Sequence, residues 1–231
     1  MAYGTKATFS TAAGPADGYL VRPGHGKPGI IVLQEWWGLV PHVKDVAERL
    51  AAQGYVTLAP DLYHGKSTVE AEEASHLMEG LDWPRALDEI AGAVRYLRDV
   101  EGVTRVGVVG FCMGGAITVL ASTLPGVDAF VSFYGFPPSG APRFTELAHV
   151  TAPGLILFGE QEEFFSVPDA KAFAERQRAA GREAEVVVYP DAGHAFFNSD
   201  RPEVFRPHAA NDAWRRTLAH LGRHLRAWTA A

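Results

Sequence analysis

Short, nearly continuous apolar runs recur along the chain, at residues 30–33, 55–59, 106–111, 129–134, 155–158 and 186–189. Runs of this length with no wet alternate positions read as strands buried on both faces. Between them, core-type residues return with helical spacing. Val43, Val46, Ala47, Leu50 and Ala51 form one such set; Leu87, Ile90, Ala91, Val94 and Leu97 a second; Trp214, Thr217, Leu218 and Leu221 a third. Strand and helix therefore alternate. Alternation demands crossover connections, which predicts an α/β fold: a mostly parallel central sheet flanked by helices on both faces. Residues 7–11 and 18–22 predict an opening antiparallel pair. With no internal repeat, linker or low-complexity stretch, residues 1–231 read as a single domain.

Composition narrows the function. At 231 residues and 47% hydrophobic side chains, the chain can bury one ordinary core. No apolar run approaches the roughly 18 residues of a membrane span, so no membrane partner is expected. Residues 1–18 lack a basic start, an apolar stretch and a small-residue cleavage site, and the expected location is cytoplasmic. The formal net charge of -6 is spread among interspersed acids and bases, which disfavours nucleic acid and points to a small-molecule partner. Nine histidines, read as having no paired spacing on one helix face, and a single cysteine give no expectation of a metal site or a cofactor. A monomer or small homo-oligomer is expected.

That single cysteine stands in a telling place. The apolar run ending at Phe111 leads into Gly110-Phe111-Cys112-Met113-Gly114-Gly115, and Ala116, Ile117, Val119 and Leu120 then follow with helical phase. Strand, sharp turn and helix around G-x-nucleophile-x-G make an elbow that exposes one side chain at the sheet edge, and glycines are needed where strand and helix crowd the turn. A helix N-terminus favours thiolate, and the Met113 N–H is placed to meet an oxyanion. The competing reading of Cys112 is a buried cysteine beside a packing turn.

Downstream, the last apolar run passes into Pro190-Asp191-Ala192-Gly193-His194, placing a histidine just after a strand. An imidazole titrates near neutrality, so His194 can take the thiol proton and return one to a leaving alkoxide. The preceding strand opens into Gly159-Glu160-Gln161-Glu162-Glu163-Phe164, where three glutamates compete to orient that imidazole.

These motifs resemble the dienelactone hydrolase family of α/β-hydrolases. Four stretches carry the likeness: Gln34-Glu35-Trp36-Trp37-Gly38, Ala59-Pro60-Asp61-Leu62-Tyr63, the cysteine elbow, and Ala192-Gly193-His194-Ala195-Phe196. The resemblance implies an α/β-hydrolase fold and cleavage of a carboxylic ester or lactone through Cys112, His194 and an acid at Glu162, where the family carries aspartate. It further implies that Glu35 lies near the resting thiol and modulates it. Trp36, in the loop after the third strand, then supplies the second oxyanion N–H. The family's two carboxylate-holding arginines would fall at Gly65 and Asn198, so the likeness does not extend to that clamp. Trp37, Tyr134, Phe164, Phe196 and Asn198 are expected around the substrate.

Within the enzyme reading, a broad carboxylesterase or thioesterase is the alternative to a lactonase. A non-catalytic ligand-binding hydrolase fold, or a redox sensor built on Cys112, has less support. Neither uses a cysteine elbow with a matched histidine, and the sensor lacks a resolving thiol.

Overall fold

The computed structural model describes residues 4–23 and 28–226. The first three residues of the segment read for a secretion signal lie outside the described residues. Among the described residues, eight strands run β1 (Thr5–Thr11), β2 (Gly14–Val21), β3 (Gly29–Leu33), β4 (Val56–Pro60), β5 (Val106–Phe111), β6 (Val127–Phe133), β7 (Gly154–Gln161) and β8 (Ala184–Gly193). They form one sheet in the order β1-β2-β4-β3-β5-β6-β7-β8. The β1–β2 and β2–β4 pairings are antiparallel and the rest are parallel. The expected opening pair and parallel centre are both present.

Among the described residues, six α-helices accompany the strands: α1 (Pro41–Ala52), α2 (Ala71–Glu79), α3 (Trp83–Asp99), α4 (Met113–Ala121) and α5 (Val167–Ala179) between them, and α6 (Pro207–Leu225) after the last. The helix spacing read along the sequence is the packing face. In α1, Val43, Val46, Ala47 and Leu50 are fully buried, and in α3 so are Ile90, Ala93 and Leu97. Truncating Leu50 to alanine in such a layer costs about 2–5 kcal/mol. The helix starts are chemical as well: the Asp82 carboxylate accepts the Arg85 N–H at 3.0 Å, and the Ser166 hydroxyl accepts the Asp169 N–H at 3.3 Å.

The connectivity creates the site. From β3 the chain moves outward to β4, then returns across β3 to lay down β5, so β3 and β5 are neighbours at the point where strand order reverses. Crevices at such switch points, beyond the carboxyl ends of the strands, are where open α/β sheets bind ligands. Leu33 pairs with Gly110, which carries Glu35 and Cys112 two residues past the same rung.

Three features depart from the sequence expectation. Helix α2 lies where the sequence pattern predicts none: only Ala74 in it is buried, which leaves too thin an apolar stripe to register. Strands β7 and β8 extend beyond their apolar runs. Finally, His220 and His224 stand four residues apart on α6, a pairing on one helix face where no such pair is expected from the sequence. Among the described residues, no helix is long and apolar enough to cross a membrane.

Candidate active site

Cys112 follows β5 directly and caps α4 with φ 55° and ψ -120°, a backbone conformation that is costly for a residue with a Cβ and is held by its surroundings. Its N–H donates to the Phe133 carbonyl and its own carbonyl accepts from Ala116, each at 3.0 Å. The flanking glycines make the turn possible by close approach. A Cβ on Gly110 would lie 2.2 Å from the Gly114 carbonyl oxygen, and one on Gly114 would lie 2.3 Å from that of Gln34. These neighbours are backbone and cannot yield. The same contacts seat α4 against the ends of β3 and β5.

The thiol faces a cavity of about 690 Å³ shared with His194, Glu35, Trp36 and Met113. Burial pushes the Cys112 thiol pKa up, the Glu35 carboxylate adds to the rise, and the Met113 N–H opposes it; Glu162 and the Trp36 N–H add smaller effects in opposite directions. The thiolate preference expected from the helix terminus is thus outweighed in the resting arrangement. The same two N–H groups expected at an oxyanion act on the sulfur.

Glu35 is buried and held at both oxygens. The Tyr134 hydroxyl donates to Oε1 at 3.0 Å, and the Asn198 amide donates to Oε2 at 2.8 Å. Tyr134 and Asn198, expected around the substrate, are buried, stand outside the set of residues lining the cavity and hold the Glu35 carboxylate. Phe196 is fully buried, its ring 5.5 Å from that of Tyr134 and 5.2 Å from that of Tyr189. Trp37 and Phe164 do line the cavity.

The histidine and acid meet because of strand register. Gly159 pairs with Tyr189 and Gln161 with Gly193, so β7 advances two residues while β8 advances four. The bulge in β8, where Asp191 adopts φ 58°, brings Glu162 and His194 side by side just past the last rung. His194 Nδ1 lies 3.0 and 2.9 Å from the two Glu162 oxygens. The Glu162 side chain is fully buried and also accepts the Phe164 and Phe165 N–H groups at 2.9 and 3.3 Å. Glu160 and Glu163 are exposed. Among the described residues, no hydrogen bond joins the Cys112 sulfur to the His194 ring.

Sequence reasoning missed part of the cavity wall: Met78 and Glu79 from α2, Trp83 from the start of α3, Pro138, Phe165 and Val204. The signal was present in the apolar cluster Leu77, Met78, Leu81 and Trp83, which no strand or recognised helix claimed. Of the basic residues near the expected clamp, Arg201 lines the cavity, while Lys66 lines a different hollow. The Arg201 guanidinium lies 5.5 Å from the Trp37 ring centre and donates to Glu203 at 2.9 Å.

Residues 16–225 match the model of the dienelactone hydrolase family. "Protein usf" of Aquifex pyrophilus is 32% identical over 221 residues, spanning 90% of this chain and 93% of that protein. The "Probable 2-oxo-3-(5-oxofuran-2-ylidene)propanoate lactonase" of Bradyrhizobium is 33% identical over 221 residues, spanning 90% and 89% of the two chains. Among solved structures, the Klebsiella pneumoniae protein named "Putative Dienelactone Hydrolase" superposes with a TM-score of 0.82 at 26% identity, covering 96% of this chain and 99% of its own. A cysteine elbow at the switch point of an α/β-hydrolase sheet, within a family match of nearly full length, places this chain in the dienelactone hydrolase family.

Proposed function

We propose that the protein hydrolyses small carboxylic esters or lactones by a Cys112-His194-Glu162 triad through an acyl-thioester intermediate. The observation that carries this reading is that the elbow thiol and the Glu162-held imidazole open into one cavity. Glu162 accepts from Nδ1–H and so leaves the lone pair of His194 on Nε2. Nε2 takes the Cys112 proton as sulfur attacks the acyl carbon, and the carbonyl oxygen gathers negative charge against the Met113 and Trp36 N–H groups. The imidazolium then protonates the departing alkoxide. Water, deprotonated by the same nitrogen, cleaves the thioester and restores the thiol.

The cavity wall argues for neutral, apolar acyl or aryl groups. Trp36, Trp37, Trp83, Met78, Phe164 and Phe165 form much of it, and its one arginine, Arg201, is already engaged by Glu203 and Trp37. A strict requirement for an anionic lactone is therefore not proposed. The test is hydrolysis of p-nitrophenyl acetate, longer p-nitrophenyl esters and a dienelactone by wild type and Cys112→Ala, with mass spectrometry of the quenched enzyme. The expected result is turnover by wild type only and an acyl adduct on Cys112. Wild-type protein that releases no product above buffer from any of them overturns the reading.

A further inference from the structure

At the opposite end of the sheet from the elbow, before the first residues of β7 and β8, three metal-capable side chains converge. His220 and His224 share one face of α6, with ring centres 4.7 Å apart. Glu183 precedes β8, and its Oε1 lies 3.2 Å from His224 Nε2. One donor atom from each of the three residues lies within 4.8 Å of the other two. A tetrahedral zinc ion with bonds of 2.0–2.1 Å spaces its ligands about 3.4 Å apart, so modest side-chain rotation would close the set. Glu183 can rotate, with 46% of its side chain exposed, while His220 supplies a fixed anchor.

We infer that Glu183, His220 and His224 form a binding site for a borderline divalent transition metal such as zinc, pinning α6 to the edge of the sheet.

His220 already has the surroundings of a ligand. It is buried on the inner face of α6, so its ring is held in place by packing. Its Nε2 lies 3.3 Å from the Pro153 carbonyl. Donation there fixes the tautomer that keeps the lone pair on Nδ1, and metal-bound histidines are commonly steadied by such a bond to a carbonyl. Two imidazoles and one carboxylate suit zinc, nickel or copper, whereas magnesium and calcium prefer oxygen alone. Completion of the coordination shell falls to water.

Arg223 opposes the ion. Its Nη1 donates to Glu183 Oε1 at 2.9 Å, but 64% of its side chain is exposed and free to swing away. Removing this cation should tighten binding, an effect that adventitious surface binding would not share.

Chelator-stripped full-length protein would be titrated with zinc chloride by calorimetry and followed by thermal unfolding, with p-nitrophenyl acetate hydrolysis measured alongside. One zinc equivalent is expected in the wild type, and zinc at one hundred times Kd should lower the unfolding equilibrium constant about a hundredfold. His224→Gln and Glu183→Gln should each weaken binding at least tenfold with hydrolysis unchanged, Arg223→Ala should strengthen it, and magnesium should do nothing. Because His220 is buried and its variants risk misfolding, these more exposed positions decide the matter. Wild-type affinity retained in both His224→Gln and Glu183→Gln overturns the inference. So does loss of the zinc equivalent on alkylating Cys112, which would assign the ion to the elbow.

Discussion

Both carboxylate oxygens of Glu162 lie against one nitrogen of His194, 3.0 and 2.9 Å from Nδ1. The extra methylene of glutamate is accommodated by folding the side chain back over its own loop, where the Phe164 and Phe165 N–H groups close on the same oxygen, Oε1. A buried carboxylate with this many donors is held in one orientation. Glu162→Gln keeps the size but offers Nδ1 the wrong partner, favouring the unproductive tautomer. The expected loss in kcat/KM reaches up to about 10⁴-fold, by analogy with removing the orienting acid of a serine triad. Glu160→Gln and Glu163→Gln should stay near wild type, since both side chains are exposed. A large loss in Glu163→Gln with Glu162→Gln unaffected would reassign the acid.

Removing the nucleophile or the base should cost at least about a thousandfold in kcat/KM, or roughly 4 kcal/mol of transition-state stabilisation. Cys112→Ala and His194→Ala should retain the wild-type circular dichroism spectrum, and their combination should lose little more than either alone because the pair acts as a unit. A folded Cys112→Ala protein with wild-type turnover contradicts the nucleophile assignment.

Substrate preference follows from the missing clamp. Asn198 sits where the family resemblance implies a carboxylate-binding arginine, and its amide is committed to Glu35. The Gly65 position offers no side chain at all. Neutral p-nitrophenyl esters should therefore be hydrolysed at least as efficiently as dienelactone, compared by kcat/KM under the same conditions. Arg201→Ala should change the preference little. A strong anionic preference that disappears in this variant would show that Arg201 leaves Glu203 to hold substrate.

The elbow, the histidine and the mostly parallel character of the sheet were legible because each depends on local pattern: continuous apolar runs, glycines at fixed offsets, and a histidine one residue past a strand. What escaped depends on side-chain direction. Tyr134 and Asn198 lie near the site in sequence logic but turn inward to Glu35, which no spacing rule reveals. Helix α2 escaped because it is mostly solvated and contributes only its last residues, Met78 and Glu79, to the cavity. Among the three glutamates only the family resemblance singles out Glu162, whereas the bulge that sets Gln161 opposite Gly193 is what brings its side chain to His194.

The resting thiol offers the sharpest electrostatic test. Burial raises the Cys112 pKa most, and the Glu35 carboxylate raises it further, because a nearby negative charge disfavours thiolate. Glu35→Gln removes that charge, so the thiol pKa should fall and the pH profile of iodoacetamide alkylation at Cys112 should move to lower pH. On the rising limb of the profile, each unit of decrease yields tenfold more thiolate. The lower basicity makes that thiolate less nucleophilic, leaving a net gain of about three- to fourfold in alkylation rate at fixed pH. Glu35→Asp retains the charge and should stay closer to wild type, which separates electrostatics from disruption of the Tyr134 and Asn198 contacts. Peptide mapping of the alkylated protein locates the label. A Glu35→Gln profile superimposable on wild type would mean that burial alone keeps the sulfur protonated, and that Glu35 serves the site by position rather than by charge.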